Sequence, residues 1–246
     1  MIEEPRSWRL EQNGNAVFAA SCGEYTCYAE NTGQPDADHR HPAWELVLSW
    51  DGPLRATDEQ GKVLTAPGVL IPPGTPNTTR QPGGFTSLWI DPYCLAIPAR
   101  ARILPLDQVQ VRRLLAATTG DFDSARLRHT VHQVLGGRTQ FIDPRLRQAL
   151  DMLDDGTGIT ELADRVGLSP RRLRQLAARD LGGTLPKLRR WHRLREAGLL
   201  LPFYPAAEVA ARTGFADQAH LVRTMAALTG RTPSSTPTRN AAARCR

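Results

Sequence analysis

Cysteine is scarce: the four residues Cys22, Cys27, Cys94 and Cys245 in 246 positions follow no ligand spacing, which excludes a disulfide scaffold and a cysteine-rich zinc module. They are read as free thiols, and a redox pair between Cys22 and Cys27 is disfavoured by the reducing interior expected for this chain. No stretch approaches the ~20 apolar residues of a membrane helix, so a spanning segment is excluded and a soluble protein is expected. A basic segment followed by an apolar run is also missing, since Glu3 and Glu4 stand ahead of Arg6, so a cytoplasmic address is the expectation.

What is present divides unevenly. The length suffices for two domains with their own cores. Residues 143–246 hold 18 of the 31 lysines and arginines but 10 of the 25 acids, so the C-terminal part is basic while the rest is slightly acidic. A basic half attracts polyanions without proving that it binds one.

Residues 15–98 alternate short β-type runs with turns. The runs are Ala16 to Ala20, Trp44 to Trp50, Leu54 to Thr57, Lys62 to Thr65, Val69 to Ile71 and Phe85 to Ile90. Asp51-Gly52, Gln60-Gly61, Pro72-Pro73-Gly74 and Pro82-Gly83-Gly84 punctuate them as hairpins of a small jelly roll would be punctuated. Beyond residue 105, Val109, Val111, Leu114 and Leu115, then Leu127, Val131, Val134 and Leu135, recur at helical spacing. Gly136-Gly137 ends that pattern, and Asp143-Pro144 opens a new helix with a cap and a proline in the first turn.

The last hundred residues carry a degenerate repeat. Ala163, Gly167 and Leu168 are answered by Ala210, Gly214 and Phe215, and Ser169, Leu173 and Gly182 by Asp217, Leu221 and Gly230. Each half reads as a helix-turn-helix: glycine for the turn, alanine for close approach, Ser169-Pro170 or Asp217 to cap the second helix. The outward residues of the first such helix are Arg171, Arg172, Arg174 and Gln175. Those of the second include Gln218, Ala219, His220, Val222 and Arg223, of which Gln218 and Arg223 suit base edges or phosphates and His220 suits a surface position better. Leu185 to Leu201 reads as one intervening helix about 25 Å long at ~1.5 Å per residue. Such a strut would set two recognition helices roughly one DNA turn, about 34 Å, apart.

The segments Ile159 to Leu173 and Glu208 to Arg223, closed by Gly230-Arg-Thr-Pro233, resemble the DNA-binding domain of AraC-type transcription regulators over residues 143–236. By position, that resemblance puts base-facing sites on Arg171, Arg174 and Gln175, and on Gln218, Ala219, Val222 and Arg223. Ala177 and Met225 stand where the family usually has an aromatic.

Earlier in the chain, Gly33, His39, His41, Glu45 and Gly52 are spaced like the first cupin motif. His39, His41 and Glu45 make a donor set that a divalent metal would accept. Pro72-x-Gly74 follows the second motif, but Asn77 replaces the remaining histidine, so no metal or other cofactor is expected and no catalytic residue is assigned. The implied design is a multidomain regulator: an all-β cupin-like jelly roll with a helical tail, then an all-α double helix-turn-helix domain. Residues 1–104 would sense an effector through some of His39, His41, Trp44, Glu45, Asn77 and Trp89. Residues 105–142 would link and dimerise, residues 143–236 would read double-stranded DNA, and residues 237–246 would form a disordered tail. A homodimer, a small-molecule effector and RNA polymerase are the implied partners. The alternative from another class is a metal-dependent cupin enzyme with a helical appendage.

Overall fold

A computed structural model of the chain describes residues 6–12, 14–33, 36–97, 102–118, 122–136, 139–153 and 156–235; the expected tail and Cys245 lie outside them. The strands are β1 (Arg6–Gln12), β2 (Asn15–Cys22), β3 (Tyr25–Glu30), β4 (Trp44–Ser49), β5 (Leu54–Asp58), β6 (Val63–Ala66), β7 (Gly68–Ile71), β8 (Asn77–Arg80), β9 (Phe85–Ile90) and β10 (Leu104–Leu106). The helices are α1 (Gln108–Thr118), α2 (Ser124–Leu135), α3 (Pro144–Asp151), α4 (Ile159–Arg165), α5 (Pro170–Leu181), α6 (Leu185–Leu200), α7 (Ala206–Arg212) and α8 (Gln218–Thr229). None of the described helices is long and apolar enough to cross a membrane.

The strands form two antiparallel sheets, ordered β1-β2-β3-β9-β4-β7-β10 and β6-β5-β8. Because successive strand residues point to opposite faces, parity alone sorts the large sheet. In β4, Trp44, Leu46 and Leu48 face one way and Glu45, Val47 and Ser49 the other. Register carries each set to β9, where Leu46 pairs with Leu88 and Glu45 with Trp89.

The first face joins Cys27, Leu46, Leu88 and Ile90 to Val111 and Leu114 of α1 and Leu127 and Val131 of α2 in one buried cluster. The second face meets the small sheet, where Val47, Val69, Ile71 and Phe85 pack on Leu54, Ala56 and Ala66. Each such leucine or valine withdrawn from water contributes about 2 kcal/mol before entropy is counted.

The small sheet covers only part of that second face. Over β1 and β2, Trp8, Val17 and Ala19 pack instead on Leu199 of α6, so the C-terminal helices close the open side of the barrel. Arg195 of α6, a charged residue in the middle of the connecting helix, has only 8% of its side chain exposed and pairs with Asp91 at the end of β9. The connecting helix is therefore a docking element as well as a strut.

Candidate nucleic-acid interface and barrel-mouth cavity

The repeat in the sequence reappears as paired hydrogen bonds. Leu168 N–H donates to the Ala163 carbonyl at 2.8 Å and Phe215 N–H to Ala210 at 2.9 Å, around Gly167 at φ +65° and Gly214 at φ +71°. Ser169 Oγ accepts from Arg172 N–H at 3.1 Å, and Asp217 Oδ1 accepts from His220 N–H at 2.6 Å, each filling one of the free amides of a helix start. Gly182 and Gly230, at φ +64° and +67°, close the two second helices in the left-handed conformation that glycine adopts without strain.

Leu173, Leu176, Ala177 and Leu181 bury the inner side of α5, and Leu221, Thr224 and Leu228 that of α8. Arg171, Arg172, Arg174 and Gln175 remain exposed, as do Gln218, Ala219 and Arg223, with Val222 half-buried. Among the described residues Arg171, Arg174 and Arg223 form no ion pair with a carboxylate, so their donors stand open to an anion or a base edge. His220 is occupied locally: its Nδ1 accepts from Ala216 N–H at 3.4 Å and its ring lies 5.3 Å from Phe215.

At the barrel mouth, between the second sheet face and α6 and α8, lies a cavity of about 100 Å³ whose walls include Trp8, Tyr28, Glu45, Trp89, Trp191 and Arg231. Trp191, fully buried, lies 5.8 Å from both Trp89, which it meets edge to face, and His41, over which it is tilted. Three ion-pair systems fix these walls. Arg231 forks onto Glu30 at 2.6 and 3.1 Å and reaches Asp36 at 3.3 Å. His41 Nε2 bonds Glu45 at 2.8 Å. Arg195 and His192 converge on Asp91 at 3.2 and 3.1 Å.

Burial would raise the Glu45 and Asp91 carboxyls, but His41 in one case and Arg195 with His192 in the other hold both below the usual carboxylate range. For Asp36 burial prevails over Arg231 and the Thr79 hydroxyl and pushes the carboxyl up to about 6.

A strap from the β-domain, residues 36–41, runs along the end of α8. Ala37 N–H donates to the Gly230 carbonyl at 3.2 Å and Arg40 N–H to Ala227 at 3.3 Å, while His39 exchanges backbone bonds with Asn77 at 3.2 and 3.0 Å.

Of the residues singled out in the sequence as effector contacts, Glu45 and Trp89 line the cavity. His41 stands behind Glu45, and His39 and Asn77 hold the strap. Trp44 lies on the helix-facing side of the sheet with its indole N–H on the Pro92 carbonyl at 3.4 Å, away from the cavity walls. Glu45 is satisfied by His41. His39, His41 and Glu45 are all buried with ligand atoms within 4.8 Å of one another, so their chemistry fits a divalent cation. In the protein itself the His41–Glu45 bond already uses two of those donors. Trp8, Tyr28, Trp191 and Arg231 were not legible as cavity residues, because they arrive from an edge strand, a doubly buried strand and the other domain.

Residues 162–239 match the family model of a helix-turn-helix domain. No curated protein matches the chain by sequence. Among solved structures the chain is similar to ToxT of Vibrio cholerae. An apo ToxT structure is 10% identical, over 86% of this chain and 96% of that one, with a TM-score of 0.60. A ToxT structure with unsaturated fatty acid bound is 9% identical, over 85% and 92%, with a TM-score of 0.55. A third, bound to (E)-4-(8-methylnaphthalen-1-yl)but-3-enoic acid, is 8% identical over 86% and 97%, with a TM-score of 0.57.

At such identities the likeness concerns the fold: a β-domain followed by paired helix-turn-helix units. The class that the fold and the family match define is a protein with a helix-turn-helix domain behind an N-terminal β-domain.

Proposed function

We propose that this chain is a sequence-specific regulator that reads two successive major grooves with α5 and α8 and responds to a small molecule held in the barrel-mouth cavity. The observation that carries the first part is the exposure of Arg171, Arg172, Arg174, Gln175, Gln218, Ala219 and Arg223 on two helices with matching caps and turns. Val222, half-buried, completes the second reading surface with an apolar group suited to a thymine methyl. The second part is supported by the cavity wall itself, which α6 shares with the barrel, so that an occupant touches sensor and reader at once. Residues 105–142 then serve as the helical dimerisation segment and linker, with RNA polymerase the partner at a promoter.

Selection of bound fragments from genomic DNA, repeated with Arg174→Ala and Arg223→Ala, tests the reading. Each substitution is expected to cost about 1–3 kcal/mol at particular base pairs and to relax preference there. A uniform fall across all sequences would reduce those arginines to phosphate contacts, and no enrichment by the parent chain would defeat the proposal.

The enzyme reading has one observation in its favour, the buried His39, His41 and Glu45 cluster. Trp191 tilted over His41 leaves that cluster little access for a substrate. Turnover by metal-loaded protein without duplex binding would favour it.

A further inference from the structure

The barrel-mouth cavity has a chemical bias that its charged lining conceals. Arg231, Glu45 and Arg195 all border it, yet each charge is already answered within the protein: Arg231 by Glu30 and Asp36, Glu45 by His41, Arg195 by Asp91. A ligand with a net charge would be buried without a free counter-charge, at a desolvation cost that must otherwise be met by breaking one of those pairs. The neutral donors are in the opposite condition. The indole N–H groups of Trp8, Trp89 and Trp191 are buried and have no acceptor among the described residues, although all three tryptophans line the cavity.

Such an unanswered donor has lost its water without gaining a partner, and an acceptor arriving with a ligand would recover that loss. Tyr28 and Phe85 add two further aromatic rings to the wall, both with the Arg231 guanidinium over them at 5.4 and 5.6 Å, so the wall is aromatic and its cation is already engaged. At the ~10–15 Å³ one water-sized centre requires, the space accommodates on the order of ten non-hydrogen atoms.

We infer that the cavity takes a neutral, planar molecule of fused-ring size that carries carbonyl or ether acceptors and no charge, held by the indole N–H groups of Trp8, Trp89 and Trp191. This rests on reading the cavity as the effector site. The remaining two tryptophans supply an internal control, because Trp44 N–H is on the Pro92 carbonyl and Trp50 N–H on Thr86 Oγ1 at 3.0 Å.

The test is a titration of the full-length, ¹⁵N-labelled chain with 1-indanone, indane and indane-1-carboxylate, following the five indole N–H resonances, each assigned by a Trp→Phe variant. Indanone is expected to move the signals of Trp8, Trp89 and Trp191 while those of Trp44 and Trp50 stay in place, and to bind at least tenfold tighter than either analogue. Trp8→Phe and Trp89→Phe, which keep a ring and delete a donor, should weaken indanone several-fold and leave indane unchanged. Carboxylate binding as tight as ketone binding would overturn the charge argument, and indane binding as tight would overturn the donor argument, with the cavity still an effector site in both cases. Shifts by none of the three probes would instead remove the effector reading on which the inference stands.

Discussion

Arg195→Met should cost the docked chain about 3–5 kcal/mol, the usual penalty for leaving one half of a buried ion pair behind. The side chains of Arg195 and Asp91 are 8% and 3% exposed. Arg195 Nη1 reaches both Asp91 oxygens at 3.2 Å, and Nη2 serves Ser21 Oγ at 3.1 Å and the Gly23 carbonyl. Methionine replaces the methylene stem and none of these donors. Asp91 keeps His192 and the Tyr93 hydroxyl at 3.2 Å, too little to offset its burial.

The pH dependence distinguishes this cause from a packing defect. In the parent the depressed Asp91 carboxyl contributes stability at neutral pH that is lost as acid protonates it. In the variant burial is expected to win and raise the same carboxyl, so protonation relieves the variant while it harms the parent, and the gap between them narrows as pH falls. Urea unfolding followed by circular dichroism from pH 8 to pH 4 measures both effects, and Asp91→Asn in the Arg195→Met background should recover most of the loss. A penalty under about 1 kcal/mol, the value of an exposed pair, or a gap that does not narrow in acid, would refute the buried latch.

Gly230→Ala combines a left-handed φ costing about 1 kcal/mol with a Cβ placed 2.5 Å from the Ala37 carbonyl oxygen, so the strap must retreat. Faster hydrogen exchange at the Ala37 and Arg40 amides is expected, and unchanged protection would count against the contact. Ser169→Ala and Asp217→Ala each remove a helix cap and should cost about 1 kcal/mol of stability, read by thermal unfolding, with equal stability speaking against the caps. Because burial raises the Asp36 carboxyl to about 6, its contribution is full below the ordinary carboxylate pKa and is lost as pH rises through 6. Asp36→Asn should flatten the stability profile in that window, and parallel profiles for parent and variant would contradict the assignment.

The reader helices were legible because each boundary is written in local chemistry. Ser169-Pro170, Asp217 and the four glycines 167, 182, 214 and 230 specify caps and turns whatever surrounds them. Boundaries without such marks are set by packing instead. α7 begins at Ala206 and α4 at Ile159, and neither has a side-chain cap.

The strands divide in the same way. β4 and β9 show in the sequence as apolar runs between turns. β1 is an edge strand rich in charge, β3 is buried on nearly every residue and so shows no alternation, and β8, Asn77–Arg80, looks like a loop until it pairs with β5. The cavity was the least legible part. Strand parity separates Trp44 from Glu45, but which parity faces inward depends on register with β9, and Trp191 and Arg231 reach the site from beyond residue 185. Tertiary placement of that kind leaves no short-range mark.

One unbroken helix, α6, seals the cavity with Trp191 and also joins the two reading units. A displacement arising at that seal is inherited by both units as by two wheels on one axle, so their separation along the duplex is invariant to it. Under the proposed function, occupancy of the cavity would therefore change whether a chain engages DNA and leave the length of its footprint constant.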